Sequence, residues 1–271
     1  MSPQDGHRLV AVRPRLTGRT LLSAALLGAV ALALLGLDES AGFHPGGGQA
    51  LLRMGQSLVT PDLSPAFVAI VAEAAAVTIA YAVTGMSIAL LVGLPGAVLV
   101  SGVLVERRAP RAVLSFTGRG VFGALRAVHE LVWALLLLTV LGLTPLAGVL
   151  AIGIPYGATL ARVLGEHLQN VPRKPVEALS TTGASRWQQL AYARVPLASA
   201  DIVAYLAYRF ECAVRAAAVL SFIGLGGIGY RLTLSLHDLR FDRVWTLIAA
   251  LVAIIAAIDL LSGRLRRTMT V

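Results

Sequence analysis

Seven charged side chains interrupt long apolar stretches of this 271-residue chain: Glu130, Arg162, Asp201, Arg209, Glu211, Arg215 and Asp259. A charge inside a membrane span costs roughly 2.5–3.5 kcal/mol on insertion scales, so each needs a partner, water or a task. Glu211 and Arg215 stand four apart on one helix face and can pair directly. Arg209 falls on a different face, with Asp201 two turns earlier on roughly its side. Two readings follow. Such charges lock spans together as structural pairs, or Arg209 and Arg215 form a polar wall that attracts an oxyanion, which the guanidinium fork fits. Glu130 and Trp133, three apart, share a face and pose the same choice. A packing anchor is the simpler reading there, and a lining role the alternative.

Other chemistries find no support. The one cysteine, Cys212, excludes an internal disulfide and any CxxC pair. No His/Cys cluster suggests a metal, and no convergent acid–base set suggests an enzyme. Gly224, Gly226 and Gly229 reproduce GxGxxG literally, but they follow an apolar span where a dinucleotide site needs a strand. With Gly227 they suit a re-entrant bend at the outer end of that span. The only lysine, Lys174, lies between Arg173 and Pro175, so the chain has no P-loop. No cofactor is expected in it.

The elements that position these residues are membrane helices. Hydrophobic residues make up 57% of the chain and charged ones 14%, against roughly 25% charged in soluble proteins. The expected fold is all-α, a polytopic bundle of about six transmembrane helices. The spans run at 20–37, within 67–105, to an end near Leu141, then 146–164, 201–222 and 244–261. Residues 67–105 are too many for one upright span. They predict an interfacial or tilted start near Glu73 and a kink at Pro95. Residues 49–59 predict a short interfacial helix, and residues 142–145 a tight turn.

Net charge is +9, yet the basic residues sit between apolar runs, which sets topology and argues against nucleic acid. With the N-terminus inside, sixteen arginines and lysines fall on the cytoplasmic side. Four fall outside: Arg53, Arg231, Arg240 and Arg243. Both termini are then cytoplasmic.

The loop at 172–196 is consequently cytoplasmic too. Pro175 suits a first helical position with Glu177 in the first turn. Gly183 suits a left-handed helix end. Ser185 with Gln188 reads as a capping box, and Pro196 marks the joint to the fifth span. Punctuation alone leaves a plain inter-span linker equally open.

Glu177-Ala178-Leu179, three residues, Gly183, nine residues, then Ala193-Arg194-Val195-Pro196 resembles the EAA loop of bacterial ABC importer permeases. Leu179, Ala193 and Val195 replace its second alanine, isoleucine and leucine. Residues 126–136 resemble the R-A-x-P-E-L-V-W-A-L stretch of phosphonate-type permeases, with His129 in place of proline. Tyr208 to Arg215 and the glycines to Gly229 are similar to another segment of theirs. The resemblance covers about half the chain, residues 126–267. It implies a type I (MetI-like) permease fold in a bacterial inner membrane. Residues 1–65 then carry the leader, first span and outer segment, and 66–271 the permease core.

The resemblance further implies docking through Glu177, Ala178, Gly183, Ser185 and Pro196 onto two ATPase subunits, which hold ATP and Mg. An extracytoplasmic solute-binding protein, a permease homodimer and membrane lipid complete the implied partners. The implied cargo is a phosphonate or related phosphorus oxyanion. Methionine or nitrate, or a secondary transporter or channel without an ATPase, are the alternatives. The absence of two related halves weighs against a secondary transporter.

Overall fold

A computed structural model describes residues 18–35, 47–106 and 108–269. The basic residues Arg8, Arg13 and Arg15 lie outside them. By contacts the chain falls into two compact units, residues 1–53 and 54–271. Eleven α-helices run in order among the described residues: α1 Gly18–Leu35, α2 Gly47–Ser57, α3 Pro65–Ser101, α4 Arg108–Ala127, α5 Glu130–Leu141, α6 Pro145–Gln169, α7 Arg173–Thr181, α8 Arg186–Gln189, α9 Val195–Leu220, α10 Ile228–His237 and α11 Phe241–Met269.

Three segments, Pro65–Ser101, Pro145–Gln169 and Phe241–Arg264, are long and apolar enough to cross a membrane. Two bent pairs, α4 with α5 turned by 83° and the α8–α9 rod with α10 turned by 42°, each form a broken span or a re-entrant loop. Counting each pair as one span gives up to five among the described residues, with α1 a shorter apolar helix outside that count.

The stretch after Phe67 is a single helix of 37 residues, about 55 Å long, with Pro95 inside it. That length exceeds an upright span of about 30 Å, in line with the reading that it is too long for one. Membrane helices tolerate an internal proline where neighbouring helices pack against it, and α6 packs on α3 through small residues. A Cβ at Gly93 would lie 2.6 Å from Leu160 Cβ, and one at Gly96 2.7 Å from Ala161 Cβ. Conversely, a Cβ at Gly153 would meet Ile88 at 2.7 Å. Such backbone approach gives van der Waals contact where lipid provides no hydrophobic drive. Ile152, Leu160 and Leu164 are buried along this seam.

The start of α11 is clipped to the start of α3. Asp62 accepts from Ser64 Oγ at 2.7 Å and from Arg243 Nε at 3.1 Å, with Arg240 at 3.6 Å. Thr246 Oγ1 donates to the Asp62 carbonyl at 3.0 Å. The Ser64 hydrogen bonds above all, aided by the Arg243 guanidinium, hold the Asp62 carboxyl below its ordinary value.

Candidate functional site

The 172–196 loop is two short helices joined to a span without a break. Pro172 precedes α7, so Pro175 is its third residue and Glu177 its fifth, beyond the first turn where the sequence put it. Pro172, with φ −52° and ψ 130°, is extended, and the helix begins directly after it, two residues before Pro175. Gly183 has φ +79°, in the region where side chains are strained, and its N–H donates to the Ser180 carbonyl at 3.1 Å. The Ser185–Gln188 capping box is complete: Ser185 Oγ accepts from Gln188 N at 3.3 Å, and Gln188 Oε1 from Ser185 N at 2.8 Å.

At Pro196 the joint is a π-helical turn, Leu190–Arg194, and helix continues through it into α9. Val195 keeps helical angles before the proline. The wider turn passes the Val195 N–H to the Leu190 carbonyl, which absorbs the hydrogen bond that Pro196 cannot make.

Glu177, Ala178 and Gly183 are exposed, as are Trp187 and Tyr192, at 65% and 74%. Trp187 stands on α8 and Tyr192 in the π-turn that follows it. Neither was singled out in the sequence, where an aromatic on a short helix looks like core. Behind this surface Val176, Leu190 and Ala193 join the main apolar core. Arg194 Nη1 donates to the Leu168 carbonyl at 2.7 Å, at the end of α6. Gln169 Nε2 donates to the Ser101 carbonyl at 2.8 Å, and Arg119 Nη2 to Gln169 Oε1 at 3.0 Å. The loop is thereby bonded to the end of α6, which is itself tied to the end of α3 and the middle of α4. A polar cavity of about 350 Å³ lies between, lined by Gln169, Glu177, Arg186 and Arg194 among others.

The second cluster lies at the α4–α5 bend. His129 caps α5, its Nδ1 accepting from Leu131 N at 3.2 Å. The Trp133 indole N–H reaches back to the Leu125 carbonyl at 3.1 Å and ties the two arms together, so Trp133 serves as an anchor. Glu130 instead lines a cavity of about 500 Å³ with His129, Tyr156, Tyr208, Arg209 and Arg215. An adjoining space of about 340 Å³ shares Glu130, Tyr156 and Arg209 and adds Arg126. Arg215 pairs with Glu211 at 2.7 Å. The Arg209 guanidinium lies 4.0 Å over the Tyr156 ring, and its Nε is buried without a hydrogen-bond partner. Thus Glu130, Arg209 and Arg215 meet at one cavity, while Trp133, Glu211 and Asp201 do not line it. Tyr156, 53 positions from Arg209 in sequence, carried no local signal.

At the end of α9 a 3-10 turn, Ser221–Ile223, leads into Gly224, Gly226 and Gly227, all with positive φ. A Cβ at Gly227 would meet Thr78 Oγ1 at 2.7 Å, and one at Gly229 would run into the Ala218 carbonyl. Thr78 Oγ1 also accepts from Ile228 N at 3.0 Å, which fixes the start of α10.

An all-helical chain with stacked apolar spans, small-residue seams and a charged cavity between them is a membrane permease in build. The chain belongs to the family of binding-protein-dependent transport system inner membrane components, whose pattern matches residues 98–271. It is 30% identical over 190 residues to the phosphite transport system permease protein PtxC of Stutzerimonas stutzeri, covering 70% of this chain and 68% of that protein. It is 31% identical over 194 residues to the phosphate-import permease protein PhnE of Mycolicibacterium smegmatis, covering 71% of this chain and 36% of that longer protein. Among solved structures the inward-facing MetNI methionine ABC transporter matches with TM-score 0.67 at 18% identity, covering 76% of this chain and 99% of that one. That likeness concerns the fold.

Proposed function

We propose that this chain is the membrane-spanning subunit of an ABC importer for a phosphorus oxyanion: phosphonate, phosphite or phosphate. Separate ATPase subunits, two per transporter and carrying ATP and Mg, dock on the exposed faces of α7 and α8. An extracytoplasmic binding protein delivers the solute, and a second permease-fold chain completes the pathway. Both termini and the 172–196 loop face the cytoplasm, as the sixteen-to-four arginine and lysine bias supports.

The observation that carries the coupling role is the build of the loop. Helix α8 and the π-turn after it hold Trp187 and Tyr192 outward, and Arg194 of the same segment donates to the end of α6, whose Gln169 is hydrogen-bonded in turn to Ser101 of α3 and Arg119 of α4. A push on it reaches α6 directly and α3 and α4 through Gln169. Cargo rests on the relatives, whose names carry phosphite and phosphate.

Purification in mild detergent from cells that also express the neighbouring ATPase gene tests the partnership. The expected result is a complex whose ATP hydrolysis rises when loaded binding protein is added. A permease that transports its solute alone, with no ATPase subunit retained, would overturn the reading. Tagging two copies differently shows whether the second permease chain is this one or a relative.

A further inference from the structure

Three helices bring side chains to one depth at the α4–α5 bend. α5 has 12 residues and rises about 18 Å from Glu130 to the turn at residues 142–144. Tyr156 stands about 17 Å along α6 from Pro145, on the other side of that turn. Arg209 stands about 17 Å from Leu220, the end of α9. That end reaches the same turn, since a Cβ at Gly224 would lie 3.6 Å from Leu143. In a hydrocarbon layer of about 30 Å the cavity therefore sits near the middle.

At that depth Arg209 is anomalous. Its guanidinium is laid on the Tyr156 ring, its Nε is buried without an acceptor, and among the described residues no carboxylate pairs with it. A buried donor left without an acceptor is costly, and a charged one more so. The ring holds the plane and leaves the edge donors for an arriving acceptor. Arg215 differs, because Glu211 at 2.7 Å already answers its charge. Arg126, in the last turn of α4, lines the adjoining space with Arg209 and also makes no ion pair among the described residues. Glu130 is the one carboxylate lining either space among the described residues.

We propose that this cavity is a mid-membrane station for the phosphorus oxyanion, with Arg209 as its binding residue and Arg126 as a further positive charge. Glu130 keeps the station weak enough to release its ion, as conduction requires. The inference rests on the substrate class proposed above.

The test uses the whole complex of permease, ATPase and binding protein in liposomes, with phosphite and methylphosphonate as probes. Arg209→Gln should lower import at least about tenfold, the scale of one lost charge-assisted hydrogen bond. ATP hydrolysis stimulated by loaded binding protein should stay at the wild-type rate, and Arg209→Lys should restore part of the import. Wild-type import with undiminished import by Arg209→Gln would overturn the station and leave the substrate class standing. Parallel loss of import and stimulated hydrolysis would also overturn it, by making Arg209 a structural residue. A wild-type complex that imports neither probe would refute the substrate class itself.

Discussion

Gly183 separates what the loop needs for itself from what a docked partner needs. Its φ of +79° places any L side chain in the left-handed region, which costs about 1–2 kcal/mol. Nothing lies within 4 Å of a Cβ built there, so the first carbon of any side chain meets no neighbour inside this chain. Gly183→Ala and Gly183→Trp should therefore impose the same backbone cost. Each should lower the melting temperature of the detergent-solubilised chain by a few degrees, about 2–4 °C per kcal/mol for a domain of this size. Gly183→Asn should cost less, since asparagine tolerates the left-handed region. Import and stimulated ATP hydrolysis in liposomes then separate the variants. Gly183→Ala should retain most coupling, whereas Gly183→Trp, whose ring occupies space outside the chain, should hydrolyse ATP without import. Equal import by the alanine and tryptophan variants would refute docking at this turn.

Two further outcomes follow from hydrogen bonds distant from the loop. Thr78→Val leaves the Ile228 N–H buried without an acceptor, so the melting temperature should fall by an amount equivalent to about 1–3 kcal/mol, while Thr78→Ser stays near wild type. Asp62, held below its ordinary 3.8 chiefly by Ser64, contributes its tether fully above that pH and loses it as pH falls through the lower folded value. Melting of wild type should therefore worsen below about pH 3.8, and Asp62→Asn, already weaker at neutral pH, should show less of that acid-induced loss; parallel curves would exclude the tether.

What the sequence made legible was local. Gly183 and the Ser185–Gln188 box need only their neighbours, and both stand where their types put them. The pairing of Glu211 with Arg215 needed only helical spacing. The misses were tertiary. Pro95 stands inside α3 without ending it, between glycines that let α6 pack against both flanks. Pro196 signals a joint, but a π-turn lets the helix pass. Helix α10 went unread because Arg231 to His237 alternates polar and apolar residues as a strand would, and its start is fixed by Thr78 from far along the chain. Arg209 was legible as an intramembrane charge, whereas its seat on Tyr156 required the packing of α6 against α9.

ATP-driven uptake of phosphite into liposomes holding this chain with its ATPase, in the presence of the binding protein, tests the central claim most directly. Uptake should require all three proteins and hydrolysable ATP, and excess methionine should leave it unchanged. Phosphite uptake that persists without the ATPase, or a complete system that carries methionine and excludes phosphite, would contradict it.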